Sequence, residues 1–402
     1  MVHPLPGTPG SRHAGRRPAG CPNLPAPAEP RRRRVSPRQR GFPMIIDAHE
    51  DLAWNMLTFG RDYTRSAAET RRAEAETGST APQVNGNTLL GYPDYLRGQV
   101  GIVFGTLFAA PNRRKAGQWD TPTYANAEEA HRLYRAQVEA YHRLTAEHPD
   151  KFRLLRTRAD LNAHIAEWKQ KPAEAAKPIG LVILMEGAEG VRTPDELPAW
   201  WESGVRVIGP AWAGTRFCGG TGEPGPLTDE GRALLRGMAA AGFLLDLSHM
   251  DAEAAREAVE TYEGGVIASH ANPAALLPES NSNRFLPDDV IDALAARDGV
   301  IGIVPFNRFL DAAWKPGDPR LPLEKVVEHI DYICQRTGSS RHVALGSDFD
   351  GGFGVESVPA GIDTVADLQK LAPLLEARGY TNDDIAAIFA HNWLRKLKAI
   401  LP

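Results

Sequence analysis

Eight short runs of Val, Ile, Leu and their apolar neighbours, separated by stretches long enough for a helix, leave this chain few folds to choose from. The runs cover residues 44–49, 100–108, 179–185, 205–208, 243–247, 265–269, 300–305 and 342–346. A strand that is apolar on both faces must be covered on both faces, and the crossover helix of a parallel β-α-β unit supplies that cover. Helical patterns fall over residues 124–146, 159–169, 228–241, 251–261, 287–296, 322–337, 364–378 and 382–400. Thr228 and Asp251 stand where N-caps are expected, and Asp383 and Asp384 suit the positive N-terminus of the last helix. Eight alternations predict an α/β fold, a closed (β/α)8 TIM barrel, with an open doubly wound sheet as the alternative. Residues 112–178, between the second and third strands, are too many for a simple crossover. Their charged, helical character predicts an insertion that packs outside the barrel or makes a dimer contact.

Residues 44–402 read as one barrel domain, and residues 1–43 read differently. That first stretch holds nine arginines, no lysine and a single acid, Glu29, for a local charge of +8; with −4 overall, −12 is left for the remainder. Pro, Gly and Arg dominate it and no apolar core of a signal peptide is present, so it is expected to be a disordered, solvated tail. Arg31 to Arg34 is read as part of that tail rather than as a nucleic-acid or membrane-surface patch. Met44, directly before the first strand, is an alternative start that would make the tail a gene-model extension. With 42% hydrophobic and 24% charged residues the chain falls outside the disordered and collagen-like classes. No window approaches the ~18 consecutive apolar residues of a membrane helix. Cys21, Cys218 and Cys334 are odd in number and widely spaced, which fits reduced thiols, so a cytoplasmic protein is expected.

In a barrel of this kind the chemistry collects at the C-terminal ends of the strands. His49 and Asp51 stand there after the first strand, Glu186 after the third, His249 after the fifth, His270 after the sixth, and Asp348 and Asp350 after the eighth. In IIDAHED, strand alternation puts Asp47, His49 and Asp51 on one face and Ala48 and Glu50 on the other. An imidazole and a carboxylate in HxD spacing suit zinc, although HxD taken alone is as readily a strand-end histidine satisfied by backbone. Glu186 follows five apolar residues and precedes Gly187, so its carboxylate should emerge at the barrel mouth. Two oxygens would let it bridge two cations about 3.5–4 Å apart. Glu189 competes for this role but belongs to the following loop. His249 and His270, on neighbouring strands, add two nitrogens to the shared Glu186. No lysine ends the fourth strand, which disfavours a carbamylated-lysine bridge. Asp348 is placed to accept a proton from an activated water and to pass it to a leaving amine. Asp350 shares its face, either orienting a histidine or forming a turn with Gly351.

Together with GVRVIGPAW, SNSNRFLPDD and the terminal HNWLRKL, these residues resemble the membrane dipeptidase (renal dipeptidase) family, peptidase family M19, within the amidohydrolase-like metal-dependent hydrolases. HxDL, the EG after the third strand, DLSH, SH, an Arg before a PDD helix start and GSDFDG occur in family order over about residues 44–399. The resemblance implies a binuclear zinc dipeptidase, in which a metal-bridging hydroxide attacks the peptide bond of dipeptides with a free C-terminal carboxylate. His49, Asp51 and Glu186 would hold one metal and Glu186, His249 and His270 the other, with Mn, Co or Fe as alternatives to Zn. Asp348 would be the acid/base residue, and Arg284 would hold the carboxylate through its guanidinium fork. The family carries a histidine after the fourth strand that steadies the carbonyl oxygen, and this chain has Trp212 at that place. Oxyanion stabilisation would then fall to a metal or to Arg216, with Trp212 packed against a substrate side chain. The loop 214–226, with five glycines, lacks the P-loop pattern and reads as a gating rim loop or a plain connection. One rival reading keeps the metals but hydrolyses a lactone, an N-acyl amino acid or a β-lactam; another is a non-catalytic metal-binding barrel. The expected partner is a small dipeptide, with no nucleic acid or membrane, and the family implies a homodimer.

Overall fold

Period-two alternation along each apolar run decides which side chains fill the barrel and which meet its helices. The computed structural model describes residues 44–173 and 175–402, and the expectations for the Arg-rich stretch 1–43 lie outside the described residues. Its eight principal strands are β1 (Ile45–Glu50), β2 (Val100–Leu107), β3 (Ile179–Glu186), β4 (Val205–Gly209), β5 (Leu244–Asp246), β6 (Val266–Ile267), β7 (Ile301–Ile303) and β8 (Val343–Leu345). All pair in parallel, in the order β6-β5-β4-β3-β2-β1-β8-β7. A single bridge, Ala268 to Ile301, joins the two ends of that path, so the sheet is a near-closed barrel rather than an open doubly wound one. Each strand lies within two residues of its sequence-based bounds.

Ile46, Ile102, Phe104, Val182, Leu184 and Ala344 belong to the interior cluster, and Trp393 of the last helix (Asn392–Ile400) closes it from below. The Trp393 ring lies 5.6 Å from that of Phe104, and its Nε1 donates to the Leu345 carbonyl at 2.9 Å. Continuing the same alternation toward the strand ends brings Thr106 and Glu186 inward at the mouth, and Asp348 joins them from the turn after β8. Apolar below and polar above is the division that places the site.

Residues 52–97, for which sequence periodicity gave no helix, contain helices Leu52–Phe59, Ala67–Thr77 and Tyr92–Arg97. The second, AAETRRAEAET, has almost no apolar stripe and rests on helix propensity and a Ser66/Glu69 capping box. The insertion after β2 packs outside the barrel. Its long helix, Ala127–Glu147, is capped by Asn126 and lays two tyrosines on the strands. Tyr141 Oη donates to the Thr106 carbonyl at 2.9 Å, and Tyr134 Oη donates to the Glu186 carbonyl at 2.7 Å. The short strand Phe152–Leu154 pairs with the lower half of β3, leaving its upper half to β4. Thr228 and Asp251 cap their helices as expected, whereas the last helical stretch is capped by Thr381 with Asp384 and carries a π turn at Ala387–His391. The loop 214–226 is an antiparallel hairpin, Cys218–Gly220 with Glu223–Leu227. Among the described residues no helix is long and apolar enough to cross a membrane. Cys218 and Cys334 are buried free thiols, pushed up by burial to about 12 and about 11, far from a reactive thiolate.

Candidate active site

The first strand reaches the site through an irregularity. From Asp47 to Glu50 it takes three steps while β2 takes two, Val103 to Gly105, so one extra residue is accommodated on β1. This overturns the simple alternation expected for IIDAHED. The Asp47 carboxylate stays out of the cluster, accepting the Ser347 amide at 2.7 Å, while His49 turns into it. Glu50 lies on the other side, hydrogen-bonded to Tyr95 Oη.

At the mouth, Glu186 sits among three imidazoles. Its Oε1 is 3.0 Å from His249 Nε2 and 3.3 Å from His270 Nε2, and its Oε2 is 3.6 Å from His49 Nε2. Asp348 Oδ1 approaches His49 Nε2 from another side at 3.8 Å. Candidate ligand atoms converge within 4.8 Å in three sets: His49, Asp51 and Glu186; Glu186, His249 and His270; and His49, His270 and Asp348. Five of the six are buried, and Asp348 is nearly so, its side chain 13% exposed. Burial pushes the Asp51 carboxyl up to about 7 and raises that of Asp348 well above its usual range, with neighbouring carboxylates adding to both. Burial is the largest single influence on His49 and opposes its charge, but Glu186, Asp51 and Asp348 together outweigh it and lift His49 to about 9. Burial and Arg284 push His249 down to about 4, so it presents a neutral ring.

These residues fit divalent-metal chemistry. His49 Nε2 is buried without a hydrogen-bond partner, and its carboxylate neighbours stand beyond hydrogen-bonding reach. Three acids and three imidazoles form a mixed N/O donor set.

A supporting layer fixes the rings. Ser269 Oγ donates to Asp246, which leaves its oxygen to accept His270 Nδ1–H at 2.8 Å and turns the His270 Nε2 lone pair toward Glu186. Asp246 also accepts the amides of Ser248 and Ser269, at 3.0 and 2.8 Å. Thr221 Oγ1 meets His249 Nδ1 at 2.9 Å, and Thr106 Oγ1 donates to Asp51. Sequence reasoning missed this layer, although Asp246 and Ser248 are two apart at the top of β5 and could have been read as inward-facing. His249, Asp348 and Asp350 have φ of 65°, 57° and 62°, a left-handed backbone that Asp and His tolerate better than most residues. Three such positions at one rim store strain of the kind that gathers at functional sites.

Asp350 orients no histidine. Its carboxylate points away from the cluster and accepts from Arg61, Tyr63, Thr88 and the Leu89 amide. Arg216 is likewise taken up elsewhere, by Glu189, by Glu230 and by the Val191 carbonyl, so it does not face the reacting centre and Glu189 is not simply solvated.

Above the cluster lies a chamber of about 470 Å3, bordered by Asp51, Glu186, His249, Arg284 and Asp348 and by seven aromatic rings, those of Trp54, Phe108, Trp119, Trp212, Phe306, Phe309 and Phe353. Trp212 stands 5.0 Å from Phe108 and 6.3 Å from His249, centroid to centroid. Arg284 is buried, donates through Nη2 to the His270 carbonyl at 2.7 Å, and keeps Nε and Nη1 without a protein partner.

A family model for membrane dipeptidase, peptidase family M19, matches residues 33–401. The chain belongs to the membrane dipeptidase family. It is therefore a hydrolase of a metal-dependent family that acts on dipeptides. A Klebsiella pneumoniae relative, an uncharacterized protein in the pqqA 5' region, is 36% identical over 234 residues, 56% of this chain and 83% of its own length. An uncharacterized dipeptidase of Schizosaccharomyces pombe is 30% identical over 226 residues, 54% of this chain and 53% of its own. Among solved structures, a metallo peptidase from Rhodobacter sphaeroides, liganded with a phosphinate mimic of L-Ala-D-Ala, superposes with a TM-score of 0.70 at 23% identity, covering 90% of this chain and 100% of that one. That last likeness speaks for the fold.

Proposed function

We propose that this membrane dipeptidase family member is a binuclear zinc enzyme that cleaves dipeptides with a free C-terminal carboxylate. The observation that carries the reading is the position of Glu186, whose two oxygens face two different donor sets: Oε1 toward His249 and His270, Oε2 toward His49 beside Asp51. One cation would take His49, Asp51 and Glu186, the other Glu186, His249 and His270. Two such ions, when bound, supply Lewis acidity to the scissile carbonyl and make a water nucleophilic near neutral pH.

The chain's own residues supply the rest. Arg284 offers its unspent Nε–H and Nη1–H groups to the substrate carboxylate and fixes the register of the peptide bond over Glu186. Asp348, whose carboxyl burial raises above its usual range, takes the proton of the attacking water and returns it to the departing amine. The aromatic walls exclude bulk water, and Trp212 packs against a substrate side chain. The mimic of L-Ala-D-Ala in the Rhodobacter sphaeroides structure supports a substrate of dipeptide size.

Elemental analysis and amine release from L,L and L,D dipeptides, with and without chelator, test this reading. Two metals per chain and chelator-sensitive cleavage are expected, and Asp348→Asn should abolish turnover while keeping both metals. Full activity in that variant would sink the assignment. One observation favours a second reading. Trp212 offers no acceptor-neutralising charge and Arg216 is engaged elsewhere, and loss of one oxyanion donor can cost about 100-fold in rate. A lactone, an N-acyl amino acid or a β-lactam would then be the better substrate, and cleavage of these with none of dipeptides would decide for it.

A further inference from the structure

We propose that Asp120 reads the free α-ammonium group of the substrate, an inference that rests on the dipeptidase reading and narrows it to peptides with an unblocked N-terminus. Asp120 ends the first loop of the insertion after β2, borders the chamber and is only 4% exposed. Its Oδ2 is spent on the loop, accepting the Ala116 amide at 3.0 Å, but Oδ1 has no partner. A buried carboxylate oxygen left unpaired costs free energy that a cationic ligand would return.

Its surroundings suit such a ligand. Trp119, the preceding residue, stands edge-on to Trp54 at 6.1 Å and stacks on Phe59 at 5.7 Å. Both tryptophans border the chamber beside Asp120. Indole faces with one carboxylate make a site for an ammonium group, since the ring quadrupole and the anion both attract it. Arg284 belongs to a different wall, with its guanidinium 5.4 Å from the Phe309 ring, and the carboxylates that act on it are Asp348, Glu186 and Asp246. A dipeptide zwitterion has one charge at each end, and the chamber offers an unspent anion on the Trp54–Trp119 wall and an unspent cation on the Phe309 wall. An N-acyl amino acid or a lactone brings no ammonium and would leave Asp120 unpaired.

Asp120→Asn is the variant to test, because its side-chain oxygen can still accept the Ala116 amide and keep the loop. With metal content unchanged, kcat/KM for a dipeptide should fall roughly ten- to a hundredfold, mainly through KM, as expected for loss of a charged hydrogen bond. Hydrolysis of the N-acetylated counterpart should stay constant, so the wild-type preference for the free amine collapses, and Asp120→Glu should restore part of it. Retention of the full preference in Asp120→Asn, or an equal loss on both substrates, overturns the proposal. Wild-type protein that cleaves no dipeptide at all overturns the dipeptidase reading itself, and this inference with it; cleavage without any Asp120 effect overturns this inference alone.

Discussion

Replacing Asp350 by Asn measures how firmly one buried carboxylate holds the loop that carries Asp348. Asp350 is fully buried and accepts from Arg61 Nη1 at 3.1 Å, Tyr63 Oη at 2.8 Å, the Leu89 amide at 2.9 Å and the Thr88 hydroxyl. Its backbone carbonyl accepts the side chains of Asn55 and Asn85, at 2.9 and 3.1 Å. Asn tolerates the left-handed φ of 62°, so the backbone keeps its shape and the change acts through charge and hydrogen bonding. An amide whose oxygen still accepts from Leu89 puts its NH2 in the place of Oδ2, where it faces the donors Arg61, Tyr63 and Thr88. Breaking a buried ion pair costs about 3–5 kcal/mol, and Arg61 keeps Glu74 at 2.8 Å, which favours the lower end. At ~2.1 cal/mol/K per residue over roughly 360 residues, that loss lowers the thermal midpoint by about 4–7 °C. Circular dichroism melts at one fixed metal concentration would read it, and kcat should fall as well because Asp348 lies two residues upstream. A midpoint within about 1 °C of wild type would refute the reasoning. Pairing the change with Arg61→Met should recover part of the stability, since the stranded cation is then gone.

Ser269→Ala removes the acceptor that fixes His270 Nδ1–H, so metal affinity should fall roughly 10- to 100-fold in a chelator-competition titration while the fold persists. Unchanged affinity would mean that the Asp246–Ser269–His270 chain does not set the ring. Stability should also decline in mild acid, because burial pushes His164 and His329, both remote from the cluster in sequence, down to about 4. Their folded pKa lies below the unfolded value of about 6.5, so the unfolded chain binds more protons between the two; stability is full above pH ~6.5 and is lost as pH falls toward ~4. Each contributes about 2 kcal/mol of that loss by pH 5. Denaturant midpoints that stay level from pH 7 to 5, or that fall no less steeply in His164→Gln, would contradict it.

Much of this protein is legible one residue at a time because a parallel barrel strand is buried on both faces and therefore stands out as a short apolar run. The same period of two carries Leu184 on to Glu186, and Asp348 follows shortly after β8, so polar residues at the ends of apolar runs mark the mouth before any contact is known. The polar helix Ala67–Thr77 escaped that reading, since its stability rests on propensity and a capping box rather than on an apolar stripe.

Local periodicity therefore determined the strand count, the barrel and the rim residues around Glu186. Only the closed structure decided what depends on a partner distant in the chain. The extra residue in β1 that turns His49 inward and leaves Asp47 behind arises from the register against β2. Asp350 looks like a second site carboxylate in GSDFDGG, yet it is claimed by Arg61, Tyr63 and Thr88, nearly three hundred residues earlier in the chain. Asp120 and Trp119 belong to an insertion whose sequence shows only charge and helix, and they reach the chamber because that insertion packs back over the barrel. Side-chain alternation is a property of the backbone of one segment, whereas register, pairing and burial of a charge are set by which segments the closing barrel brings together.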